Sequence, residues 1–215
     1  MALTLYYHPL SSYCMKVLIA LYENDTPFTP EFVRLNEPEP RAAFLKIWPL
    51  GKLPVLKDGD RLVPESTIII EYLDQKYPGR TRFIPVDPDA ARQMRMRERF
   101  FDCYVMEPMF RIVADRLRPE GKHDPHGVEE MRGRLATALG MVDTAMEGAG
   151  FAFGDGFTMA DCAAAPSLFY AAKVTPGFGS SFPNAAGYLD RLTKRPSFAR
   201  CLREAEPFMN LFPEQ

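Results

Sequence analysis

The chain has 215 residues, room for one large domain or two small ones. Apolar residues make up 47% and charged residues 25%, proportions that support a buried core and argue against a disordered chain. A formal net charge of −2 argues against nucleic acid as a partner, and the sequence has neither a run of 18 apolar residues nor a charged-then-apolar leader. The expectation is a cytoplasmic protein without a membrane partner. The four cysteines, Cys14, Cys103, Cys162 and Cys201, lie far apart in helical patterns, which suits reduced thiols better than a disulfide scaffold.

In chain order, "LTLYY" reads as a strand. "SSYCMKVLIALYEN" then changes period: Cys14, Val17, Leu18 and Leu21 share one helical face, and a serine is placed to cap it. "FTPEFVRL" is a second strand, and "PRAAFLKIW" a short helix ended by Pro49. "LPVLKDGDRLV" is a hairpin turning at Asp58-Gly59-Asp60. "ESTIIIEYLDQKY" is a helix with Ile69, Tyr72 and Leu73 on one side, stopped by Pro78-Gly79. The order β-α-β-α-β-β-α implies a small mixed sheet flanked by helices over residues 1–80. Residues 81–88 read as a proline-rich linker, and 89–215 hold only helical patterns. The first of these is long and carries Pro108, where a kink is expected. Its run Phe100, Phe101, Tyr104, Met106, Met109 and Phe110 reads mostly as core, with one or two members facing a pocket. Further on, Thr158-Met159-Ala160-Asp161 has the form of a capping box behind a stapling Phe157, a folding signal rather than a catalytic one.

Three features of the first domain converge on one ligand. Ser11 stands at a strand-to-helix junction, where free N–H groups and a hydroxyl favour an anion such as a thiolate. Ser12 is its rival by one residue of register. Ser11 to Lys16 resembles the Cys-x-x-Cys-x-Lys spacing of thioredoxin-type redox sites. Serine stands in for the first cysteine, so dithiol chemistry is unavailable. Cys14, Tyr7 and Tyr13 read as packing residues. Second, Pro54 heads a strand, and a cis bond before it would turn the backbone of Leu53 outward to pair with an extended peptide. Lys52 beside it can reach a carboxylate. Third, Glu65 and Ser66 at a helix start suit an ammonium and a carboxylate, the head of a free amino acid. In this order the features are a template for a small peptide with a thiol, an α-amino acid end and a second carboxylate.

On those residues the chain resembles the cytosolic glutathione transferases over nearly its whole length. "FLKIWPLGKLPVLKDGDRLVPESTIIIEYL" is similar to the family's proline loop and Glu-Ser segment, and "FTMADCAAAPSL" to the capping box of its helical domain. "SSYCMKV" looks most like the bacterial serine-type, theta- or zeta-like members and aligns Ser11 with their active serine; a beta-type alignment favours Ser12. The resemblance implies a glutathione transferase fold, with a thioredoxin-like α/β domain followed by an all-α domain. It implies a homodimer and glutathione as co-substrate, activated for attack on a small hydrophobic electrophile. Leu53 and Pro54 would carry the backbone of glutathione, Glu65 and Ser66 its γ-glutamyl end, and Lys52 its glycine end. Asp102 would reach its ammonium across a dimer interface. Alternatives on the same fold are a glutathione-dependent isomerase or dehalogenase, and a non-catalytic binding or stress protein. No metal is expected: His123-Asp124-Pro125-His126 reads as a solvated loop without a third ligand.

Overall fold

The computed structural model describes residues 3–213. Four strands, β1 (Leu3–Tyr7), β2 (Phe28–Phe32), β3 (Val55–Asp58) and β4 (Arg61–Pro64), form one sheet in the order β2-β1-β3-β4. β1 runs parallel to β2 with Leu3 opposite Phe28, and β3 and β4 are antiparallel. Leu3 and Leu5 alternate into the core, as a half-covered strand requires. Gly59, at φ +59°, makes the tight turn between β3 and β4. Helices α1 (Ser12–Glu23), α2 (Pro38–Ile47) and α3 (Ser66–Lys76) complete this unit, an α/β sandwich of the expected class.

The rest is helical: α4 (Pro88–Phe100), α5 (Glu107–Arg116), α6 (Pro125–Ala145), α7 (Met159–Val174), α8 (Phe178–Ser181), α9 (Pro183–Lys194), α10 (Pro196–Ala205) and a 3₁₀ turn over Glu206–Leu211. No helix among the described residues is long and apolar enough to cross a membrane. Residues 77–87 are pinned rather than loose. The Asn24 side chain bonds both the N–H and the C=O of Thr81, and Phe83 is buried between an Asp74 contact and Met159.

Just ahead of Pro108, where the sequence predicts a disturbed helix, Phe101–Met106 winds as a π-helix, and the Glu107 N–H reaches back five residues to the Asp102 carbonyl. The wider turn gives room just before a proline, whose ring would otherwise crowd the turn behind it. The aromatic and methionine run is mostly core, as expected: Phe101, Met106 and Met109 are buried and Phe100 packs against the core, while Tyr104 is 61% and Phe110 58% exposed. They occupy the outward face of a helix that packs on one side only.

α1 is buried between the sheet and the helical unit. On that side it meets α7, which is buried at almost every position, and α10. Glu23 at its end is held by Arg195 at 2.7 Å and by the Ser197 hydroxyl at 2.5 Å. The Thr158–Asp161 capping box forms as expected, and Asp161 does more than cap. It also accepts from the Ala152 N–H at 2.8 Å and the Tyr188 hydroxyl at 2.5 Å. Asp161→Ala leaves these buried donors unpaired. In urea unfolding it should lower stability by about 3 kcal/mol or more.

Candidate active site

The β1–α1 junction sets the first wall. Ser11 is the N-cap of α1, and its Oγ accepts from the Cys14 N–H at 3.4 Å. As an acceptor in that bond, the hydroxyl keeps its own hydrogen for another partner. Ser12 opens the helix itself. The loop before them is fixed by the Tyr170 hydroxyl of α7, which donates to the Leu10 carbonyl at 2.6 Å, and by the Ser11 N–H on the His8 carbonyl. Cys14 is fully buried. Burial pushes its thiol up to about 11, against the opposing hydrogen bonds of Ser11 and His8, so it stays protonated and inert at neutral pH. Tyr13 is pushed up to about 12, chiefly by burial, and remains a neutral phenol.

The proline loop supplies the second wall. The Leu53–Pro54 peptide bond is cis, and among the described residues neither the N–H nor the C=O of Leu53 is bonded to another backbone group. Pro54 is buried, Leu53 half-buried and Lys52 exposed. Gly51 turns the loop at φ +63°, and a Cβ there would lie 3.1 Å from the Leu45 side chain.

The start of α3 supplies the third. Glu65 precedes the helix at φ +69°, an unfavourable backbone for a glutamate, and its side chain makes no capping bond. The strain leaves the carboxylate exposed beside Ser66, which is 6% exposed and begins the helix with its free N–H groups. Opposite, the π-helical turn presents Asp102, whose Oδ2 accepts from Lys16 at 2.8 Å and Arg99 at 3.2 Å. Burial raises the Asp102 carboxyl above the usual aspartate range, with Glu98 adding to the rise and Lys16 opposing both.

These walls enclose a cleft of about 410 Å³ that brings together Lys52, Leu53, Pro54, Glu65, Ser66 and Asp102. Ser11 and Ser12 are not among its walls; Tyr13, the second residue of α1, is. Trp48, Thr67, Arg99, Cys103 and Glu107 also line it, unassigned by sequence reasoning. Arg99, Cys103 and Glu107 recur every four residues and so share one helical face, but nothing in the sequence says that this face meets the cleft. Asp102 lies in the cleft of its own chain. Basic Lys52 and Arg99 face acidic Glu65, Asp102 and Glu107, a bipolar surface suited to a small zwitterion. No cluster of His, Cys, Asp and Glu among the described residues has the makings of a metal site.

Glu65→Gly tests the strain directly. It should raise stability in denaturant by about 1 kcal/mol while weakening ligand binding in the cleft.

The Glutathione S-transferase N-terminal domain model matches residues 5–81, and the C-terminal domain model matches 125–191, together more than half of the chain. A glutathione S-transferase from Methylobacillus flagellatus, solved with GSH bound, superimposes with a TM-score of 0.85 at 28% identity, over 93% of this chain and 98% of that one. The maleylacetoacetate isomerase of Pseudomonas aeruginosa is 28% identical over 96% of both chains. A stringent starvation protein A homologue of Coxiella burnetii is 29% identical over 95% of this chain and 93% of its own. With its fold, its cleft and both halves of its sequence in agreement, the chain belongs to the glutathione S-transferase family.

Proposed function

We propose that the cleft binds glutathione extended along Leu53 and Pro54 and that Ser11 donates a hydrogen bond to its sulfur. Family membership makes the protein a glutathione-dependent transferase with glutathione as co-substrate. The observation that carries the finer reading is the convergence of an amino-acid clamp, Glu65, Ser66 and Asp102, with an unpaired backbone edge at Leu53. The γ-glutamyl carboxylate lies on the N–H groups of Ser66 and the ammonium between Glu65 and Asp102. The glycine carboxylate lies within reach of Lys52.

The sulfur then falls toward the start of α1. There the Ser11 hydroxyl, with its hydrogen unspent, stabilises a thiolate near neutral pH. The chain supplies position and electrostatics, and glutathione supplies the nucleophile. Ser12 is the alternative donor and Ser11 the better placed, because its oxygen is already oriented by the Cys14 N–H. This assigns the protein to the serine-type, theta- or zeta-like members. The two units divide as residues 1–80 and 89–215, joined by 81–88. The acceptor is a small hydrophobic electrophile lodged against the helical unit. Exposed Ile68 on α3, Met96 on α4 and Met141 on α6 support a homodimer, and four unpaired cysteines suit a cytoplasmic setting.

A second reading is a glutathione-dependent isomerase, favoured by the likeness to maleylacetoacetate isomerase. Dehalogenation uses the same thiolate. The likeness to a stringent starvation protein supports a third reading, a stress-linked binding protein without turnover. Assays with maleylacetoacetate, small halides and a generic aryl halide separate the three.

Ser11→Ala should cut conjugation of the aryl halide about ten-fold or more with little change in glutathione affinity. Full activity would pass the role to Ser12, tested by Ser12→Ala in parallel. A pH titration of S-methylglutathione binding, which has no thiol to titrate, tests Asp102. Its ionised form holds the ammonium and its carboxyl is raised. Affinity should therefore fall on acidification from a higher pH than an ordinary aspartate would give.

A further inference from the structure

We infer that Lys16 is a positioning residue for the amino end of glutathione, acting through Asp102. The inference rests on the glutathione reading above and adds a residue to it. Lys16 lies on α1 and is 1% exposed. Its Nζ donates to Asp102 Oδ2 at 2.8 Å, to Thr67 Oγ1 at 3.0 Å and to Glu98 Oε1. Three partners use all three hydrogens of an ammonium, so Lys16 has none left for a ligand.

The partners are unequal. Glu98 is fully buried and outside the cleft walls. Its Oε1 takes Lys16 and the Thr67 hydroxyl, and its Oε2 is sealed off with no partner. Glu98 therefore anchors Lys16 from behind. Asp102 stands in front and lines the cleft. Lys16 and Arg99 both bond its Oδ2, which leaves Oδ1 with no partner among the described residues. The ammonium of Lys16 thus selects which carboxylate oxygen is free for an incoming ammonium. A strut between the two units needs only the Lys16–Glu98 pair. The added bond to a cleft-wall carboxylate is what gives Lys16 a part in binding.

The test compares glutathione with its desamino analogue, in which hydrogen replaces the γ-glutamyl amino group. The wild-type chain should prefer glutathione. Lys16→Met should raise the KM for glutathione about ten-fold or more and leave kcat nearly unchanged. The KM for the analogue should move less than about two-fold, because the lost interaction is with the amine alone. A purely structural role would weaken both peptides alike. If Lys16→Met does not fold, Lys16→Met with Glu98→Gln decides. It removes one buried charge of each sign, a change cores tolerate better than an unpaired carboxylate. Equal loss for both peptides, or undiminished preference for glutathione in a folded variant, overturns the inference on Lys16 alone. A wild-type chain that binds neither peptide overturns the glutathione reading with it.

Discussion

An ammonium cut off from water ties the two halves of this molecule together. Lys16 belongs to the helix that follows the first strand. Glu98 and Asp102 stand 82 and 86 positions further along the chain. Buried ion pairs of this kind add little net stability, because desolvation offsets much of their attraction. Their consequence is geometric. Removing one member leaves a charge with nowhere to go, at a cost of about 3–5 kcal/mol, so alternative dockings of the helical unit on the sheet are strongly disfavoured. Thr67, one residue past the clamp serine, joins the same cluster. The geometry that registers the units therefore also registers the amino-acid clamp against its opposite wall.

The remaining contacts between the units follow from that docking. α1 lies with both faces covered, so nine of its twelve residues are buried. α7 lies against it and is as completely enclosed, which is why so many of its positions are alanine: small side chains let helices approach closely. A helix so enclosed cannot leave its ends to water. The Asp161 carboxylate closes its start, and the Tyr170 hydroxyl ties its middle to the loop before Ser11. The position of the candidate thiol-activating serine is thus set from the helical core, although the serine itself belongs to the other unit.

Elements with a local cause were legible in the sequence. The first strand followed from its short apolar run, the hairpin from its turn signal, α1 from its apolar period, and α7 from Thr158 and Asp161. The proline loop and the Glu65-Ser66 segment were readable because each chemical demand is met by adjacent residues. The features missed have non-local causes. Pro108 signalled a disturbance in the right place, but nothing local to it specifies the π-helical turn that precedes it. Arg99, Cys103 and Glu107 share a helical face, and which face meets the cleft depends on how the units dock. Tyr13 read as packing and lines the cleft, a distinction that depends on which face of α1 the helical unit leaves open. Lys16 looked like the last member of a redox-type motif. Nothing within ten residues of it hints at its carboxylates.

The motif "SSYCMK" can now be assigned position by position. Cys14, the obvious nucleophile, is disqualified by burial, since a thiol held near 11 is almost wholly protonated at neutral pH. Tyr13 is held neutral in the same way. Lys16 has spent its donors on the protein. What remains with a free hydrogen at the helix start is a serine hydroxyl, and an unassisted serine is a poor nucleophile but a good donor to an anion. No base is bonded to Ser11; its only side-chain contact among the described residues is the backbone N–H it accepts. A hydroxyl placed this way can stabilise a thiolate brought by the ligand but has nothing to deprotonate it for attack. In the proposed reading the chemistry at this junction depends on glutathione arriving with its own sulfur, and the charges of the cleft are what would hold that peptide by its ends.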